Sequence, residues 1–211
     1  MSRGRTLART LAAALLAPAF AGCGSSEDPP GAVACDPAAV APTVAWKRTD
    51  AVMADLGRAL DLTPDEVCRE LGTTPCATVH RVALGASDPF ERALYRPFAE
   101  PLGTTPIALE RAVLHACVTR VELDRGAGQP VVFTHMDLLA PSAGAELGPD
   151  SAFGKDAAEV GRRLLGRDLL ASELAELEAL AVDDSGAPVA SDDVAKLICF
   201  TLGTSREFLF F

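Results

Sequence analysis

Aromatic residues are scarce in this chain. One Trp and one Tyr occur among its 211 residues, and aromatics make up 5% of the whole. Surfaces on which bases or sugars could stack are therefore in short supply. Histidine is limited to three copies. No Cys-x-x-Cys-His is present, so covalent c-type haem has no attachment motif. Gly-x-Ser-x-Gly and Ser-x-x-Lys are both missing, which removes two signatures of a catalytic nucleophile. Basic charge is short as well: 19 Lys and Arg face 29 Asp and Glu, for a net charge of −10. Such a surface repels nucleic acid and anionic lipid and favours solubility.

The first 22 residues break that acidic rule. Arg3, Arg5 and Arg9 form a positive start, followed by an apolar run from Leu11 to Ala21. That run is too short to cross a bilayer as a helix, which takes about 20 residues, but it suits a secretory signal. Ala21-Gly22-Cys23 then resembles the lipobox of bacterial lipoproteins, with Phe20 where Leu is usual. The resemblance implies cleavage before Cys23 and acylation of its sulfur. Several buried acyl chains, at about 0.8 kcal/mol per methylene, make a firm anchor. No Asp follows Cys23, which by the enterobacterial sorting rule points to the outer rather than the inner membrane. Losing residues 1–22 with their three arginines takes the charge from −10 to −13.

Residues 23–44 are rich in Pro, Gly, Ser and Ala and read as a lipidated tether. The rest, residues 45–211 or about 170 residues, suits a single domain with a real core. Periodicity predicts a mostly α fold, an irregular small helical domain with long Pro/Gly-rich connections and one short strand or hairpin. Val52, Met53, Leu56 and Leu60 recur at helical spacing. Thr63, Pro64 and Glu66 predict a capping box, with Leu62 and Val67 as a hydrophobic staple. Ile107, Leu114, Cys117, Val118 and Val121 predict one buried face of a further helix. Val160, Leu164 and Leu165 suggest another, and Leu174, Leu177 and Leu180 the next. Ser191 opens a last long helix bearing Val194, Leu197, Ile198 and Leu202. Two connections, 85–103 and 125–154, lack regular pattern, although "PVVFT" at 130–134 suits a strand.

The phrase "LGTTP" occurs at Leu71–Pro75 and Leu102–Pro106, with "LGTS" at Leu202–Ser205. A phosphate loop would need further glycines and a lysine, as in Gly-x4-Gly-Lys-Ser/Thr. The phrase reads instead as helix punctuation: Gly ends a helix or turn, Thr caps, and Pro opens the next helix. In the third copy, Thr204 and Glu207 predict a capping box.

Six cysteines are present. With Cys23 acylated, the remaining five cannot all pair within one chain. An envelope compartment permits disulfides. Cys68 and Cys76 flank a predicted helix corner and could lie within the reach of a disulfide, about 4.4–6.8 Å between Cα atoms. Cys117 and Cys199 sit in apolar helices, where they either bridge or pack as buried hydrophobes. Cys35 is left over. Cys76 and His80, four apart, are weak metal candidates on one helical face. No second pair at zinc spacing accompanies them, so no cofactor is expected.

Glu66–Gly85, "EVCRELGTTPCATVHRVALG", resembles the helix-turn-helix head of LacI-type repressors. The resemblance implies Gly72 in the turn and Ala77-Thr78-Val79 at the start of a recognition helix. Cys76 is an extra residue relative to that family. It rotates the second helix by about 100°, and the nearby bases are only Arg69, Arg81 and His80. The expectation is a helix-turn-helix used for packing, without nucleic acid as a partner. The last quarter, through "LLASELAELEAL" and "SREFLFF", resembles terminal helices of myxobacterial and planctomycete envelope proteins that carry domains of unknown function, often fused to cytochrome-like modules. Leu170 stands where their Thr falls, while Ser205–Leu209 fits. This implies an envelope setting near redox proteins and no defined activity. The sequence therefore points to a non-catalytic accessory or interaction lipoprotein, held to the membrane by its lipid and serving an unknown envelope protein. A metal- or haem-associated redox accessory is the second reading, and a DNA binder the third.

Overall fold

The computed structural model describes residues 45–143 and 147–210. The signal, Cys23, the tether with Cys35, and Phe211 lie outside the described residues. Elements follow the order α1 (Thr49–Leu60), α2 (Pro64–Val67), β1 (Arg69–Glu70), β2 (Thr74–Pro75), α3 (Cys76–Val79), α4 (Thr105–Gly126), α5 (Ala152–Leu165), α6 (Ala171–Glu178), α7 (Ser191–Gly203) and α8 (Arg206–Leu209). A 3₁₀ turn, Ala179–Ala181, extends α6. The protein is mostly α, with a single two-stranded antiparallel sheet among the described residues.

The core forms where α4 and α5 both pack on α7, and α1 lies against α4 and α5. Its largest fully buried side chains include Phe133, Phe153 and Phe208. Full burial of side chains of this size contributes about 1.5–3 kcal/mol each. α1 buries Val52, Leu56 and Leu60, with Met53 at the margin. α5 buries Val160 and Leu164, and α7 buries Val194, Ile198 and Leu202 while Leu197 points outward. Cys117 of α4 and Cys199 of α7 are bonded, their Cα atoms 5.7 Å apart.

The predicted face of α4 is wrong by part of a turn. Its buried side is Ala108, Leu109, Ala112, Val113, Ala116, Cys117 and Val121, while Ile107 and Leu114 are exposed. Bulk misleads here, because the alanines make a narrow stripe that lets α7 approach closely. At Gly203 there is no room for a side chain. A Cβ there would lie 2.6 Å from Val113 Cγ1.

The second long connection contains no strand at "PVVFT". A strand needs a partner to take its N–H groups, and here two buried carboxylates take them instead. Asp124, near the end of α4, accepts from the N–H groups of Val131, Val132 and Phe133 at 2.8–3.0 Å. It also accepts from Arg120 Nη2 at 2.7 Å. Asp156, on α5, accepts from the N–H groups of Thr134, His135 and Met136 at 2.8–3.1 Å, and meets His135 Nδ1 at 2.8 Å. Six successive backbone donors are thus satisfied by two side chains. Val132, Phe133 and Met136 are buried along the same stretch.

The three glycine phrases diverge. At the second copy Pro106 lies in the first turn of α4, as expected, and Thr105 Oγ1 donates to Ala83 O at 2.6 Å while accepting from Leu102 N–H. At the third copy the cap falls one residue later, on Ser205, whose Oγ accepts from Phe208 N–H. The first copy is a β-hairpin turn. β1 pairs with β2 as Arg69↔Pro75 and Glu70↔Thr74, with Leu71 and Gly72 both at positive φ. The predicted helix that opens at Thr63-Pro64 ends after one turn at Val67, and α3 has four residues. A helix-turn-helix is therefore not formed between Glu66 and Gly85. α3 is too short to lie along a DNA groove as a recognition helix. At the start of this region Glu66 accepts from both the N–H and the hydroxyl of Thr63, at 2.8 and 2.7 Å.

Candidate functional site

Two places gather side chains that packing alone does not require. The first is the hairpin corner. The chain reverses at Leu71-Gly72, which sets Cys68 opposite Cys76, and the two are bonded with Cα atoms 5.4 Å apart. Cys76 N–H donates to Cys68 O at 3.0 Å and closes the same ring. Glu70 projects from β1 and is mostly covered, its side chain 15% exposed. Arg111 of α4 grips both its oxygens, through Nε at 2.8 Å and through Nη2. His80 Nε2 meets Oε1 at 2.6 Å. Arg111, with His80 adding to it, lowers the Glu70 carboxyl from the ordinary 4.5 to about 2. His115 of α4 completes the corner. Its Nε2 accepts from Arg69 N–H, and its Nδ1 faces Val67 O and Thr119 Oγ1. Cys68, Glu70, Arg111 and His115 line a cavity of about 310 Å³.

Cys76 and His80 are brought together, though not as two ligands on a helical face. α3 stops at Val79, and the Cys76 sulfur is held in the disulfide. Glu70 is the partner that the sequence did not reveal. Its oxygen, the Cys76 sulfur and a His80 nitrogen all lie within 4.8 Å of one another. Glu70 comes from a position ten residues before His80, and Arg111 from 41 residues after Glu70. The available signal was Leu71-Gly72-Thr73-Thr74 before a proline, which suits a three-residue hairpin loop as well as a helix end.

The second place is the connection between α3 and α4. It is built as an ordered loop. Asp88 and Leu94 exchange backbone hydrogen bonds at 2.9 Å in both directions, and Asp88 Oδ1 accepts from Glu91 N–H. Thr105 ties the end of the loop to Ala83 near its beginning. Gly85 sits at φ +79°, and a Cβ there would fall 2.6 Å from the Trp46 ring, so only glycine fits. On this frame Phe90 is 96% exposed, Tyr95 78% and Phe98 45%. Arg92 and Arg96 lie between them in sequence. Below the loop, Trp46, Pro101, Pro106, Leu109, Leu209 and Phe210 line an apolar groove of about 300 Å³. The Trp46 indole N–H is buried there without an acceptor among the described residues. Of the C-terminal aromatics, Phe210 lines this groove. Phe208 is buried under Lys47, and Phe210 pairs with Trp46 through a backbone bridge.

His135 does not join either place. It pairs with Asp156 on the second long connection. No helix among the described residues is long and apolar enough to cross a membrane. Comparisons with protein-family models, with curated proteins and with solved structures find no match to this chain.

Proposed function

We propose that this protein is an envelope lipoprotein, acylated at Cys23, whose helical body serves as a non-catalytic accessory that docks a partner protein through the 86–102 loop. The observation that carries the docking is the exposure of Phe90, on a turn closed by the Asp88–Leu94 backbone bonds, and of Tyr95 and Phe98 just after it. A chain with so few aromatics places three of them where burial gains them nothing within the fold. Exposed apolar clusters mark interaction surfaces, and aromatics with arginine are the residues that anchor interfaces. An ordered loop also loses little entropy on binding. The lipid would hold the body near its partner and so raise the local concentration.

The test uses the full chain expressed in its own bacterium. Mild detergent extracts are captured on wild type and on Phe90→Ser/Tyr95→Ser. Wild type is expected to recover one stoichiometric envelope protein, and the variant to lose it while keeping its circular dichroism. Equal recovery, or none from wild type, would remove the loop from the reading. Mass spectrometry of the mature N-terminus checks the anchor separately. An unmodified Met1 start would contradict acylation at Cys23.

The metal-associated accessory remains the second reading, favoured by the convergence of Glu70, Cys76 and His80.

A further inference from the structure

Among the described residues, one group of His, Cys, Asp or Glu brings three donor atoms within metal-binding range: a Glu70 oxygen, Cys76 Sγ and a His80 ring nitrogen, all within 4.8 Å. We propose that this group is a divalent-metal site of the zinc class, held closed by the Cys68–Cys76 disulfide and opened when that bond is reduced. The inference is independent of the docking loop.

The donor chemistry selects the metal. Thiolate, imidazole and carboxylate together are the set that binds zinc, at about 2.0–2.3 Å each. Ligand atoms on such an ion stand roughly 3.3–3.8 Å apart by tetrahedral geometry, so Glu70 Oε1 and His80 Nε2, now 2.6 Å apart, must separate by about 1 Å to admit the ion. Three protein ligands leave a fourth position for water or another donor. The backbone has already fixed the arrangement. β1 carries Glu70, α3 begins at Cys76, and His80 lies one turn on, its N–H donating to Cys76 O at 2.8 Å. Arg111 holds both Glu70 oxygens, sharing Oε1 with His80, and would orient the carboxylate as an outer partner.

The disulfide is what keeps the set incomplete. In the bonded form Cys76 has no thiolate to offer, and His80 faces Glu70 directly. Cys68, itself only 4% exposed, borders the 310 Å³ cavity and a second of about 510 Å³. The other disulfide, between α4 and α7, borders neither. A dithiol reductant supplies two electrons and two protons. The Cys68–Cys76 bond breaks to two thiols, and the reductant leaves as its own disulfide. On metal binding, the Cys76 thiol proton goes to solvent. His80 frees Nε2 for the ion and keeps a proton on Nδ1 alone.

Cys68→Ser tests this without any reductant, because it leaves Cys76 as a permanent thiol. The full-length variant is expected to bind one Zn²⁺ per chain in equilibrium dialysis. With Co²⁺ it is expected to show near-ultraviolet thiolate-to-metal absorption. Adding His80→Gln is expected to weaken binding by roughly tenfold or more, since a ligand is lost rather than an outer partner. Cys23 and Cys35 are present in both chains, so the difference reports the site. Oxidised wild type is expected to bind no stoichiometric metal and to gain it after phosphine reduction, a measurement that stands if Cys68→Ser folds poorly. The proposal is overturned if neither natively folded Cys68→Ser nor reduced wild type binds one ion. It is overturned equally if His80→Gln changes nothing, or if oxidised wild type binds as tightly as the reduced form.

Discussion

The two disulfides do different work because they close different lengths of chain. Cys117–Cys199 joins α4 to α7 across 82 residues, inside the core. Cys68–Cys76 closes an eight-residue corner beside open cavities. Around the first, the protein is helical, alanine-lined and dry. Around the second it has helices of one turn, a two-residue ladder and a carboxylate held by distant arginine and histidine. The contrast is between a crosslink joining two long helices and one closing a short hairpin, both within one buried apolar cluster. The proposed metal site and the proposed docking loop both belong to the second region, where the hairpin corner passes directly into the aromatic loop.

Removing each crosslink should sharpen that contrast most. From the chain entropy released on unfolding, Cys117→Ala/Cys199→Ala is expected to cost about 4.5 kcal/mol and Cys68→Ala/Cys76→Ala about 2.5 kcal/mol. Urea denaturation of both checks this, and equal losses would erase the distinction between core and corner. Asp124→Ala is expected to cost about 3 kcal/mol, between the two crosslinks, because it strips Arg120 of its carboxylate partner in the interior and orphans the buried N–H groups of Val132 and Phe133. Hydrogen exchange should locate the damage at Val131–Phe133; unchanged protection there would count against the carboxylate staple.

The smallest effect belongs to the corner. Glu70 titrates at about 2, below its ordinary 4.5. A depressed carboxyl stabilises the fold fully above the unfolded value and loses that contribution as pH falls from about 4.5 toward 2. Glu70→Gln is therefore expected to lower stability by about 1 kcal/mol at pH 7, a modest figure for a partly solvated pair. The difference should vanish near pH 2 in thermal melts, and a gap that persists in acid would mean that packing, not charge, accounts for it.

The core half was legible in the sequence and the corner half largely was not. α1, α5 and α7 carry large apolar residues every three or four positions, and burial follows that spacing. α4 was found but turned, because its contact stripe is alanine and a search for bulk overlooks it. In residues 66–85 the same letters allow a helix end or a hairpin turn. What decides is Arg111, 41 residues further on, which grips Glu70 and cannot be seen locally. Gly72 does sit at positive φ, and Cys68 does bond Cys76, but both belong to a hairpin rather than a helix corner. Pairing of Cys117 with Cys199 had been left open, and the packing of α4 on α7 resolves it. Phe90 and Tyr95 drew no notice because an exposed aromatic leaves no periodic trace.

Val131-Val132-Phe133 is the kind of β-prone run that, with free backbone donors, recruits a neighbouring chain into edge-to-edge aggregation. Here Asp124 and Asp156 occupy those donors from inside the molecule. The two aspartates thus leave this run no backbone donor to offer a neighbouring strand.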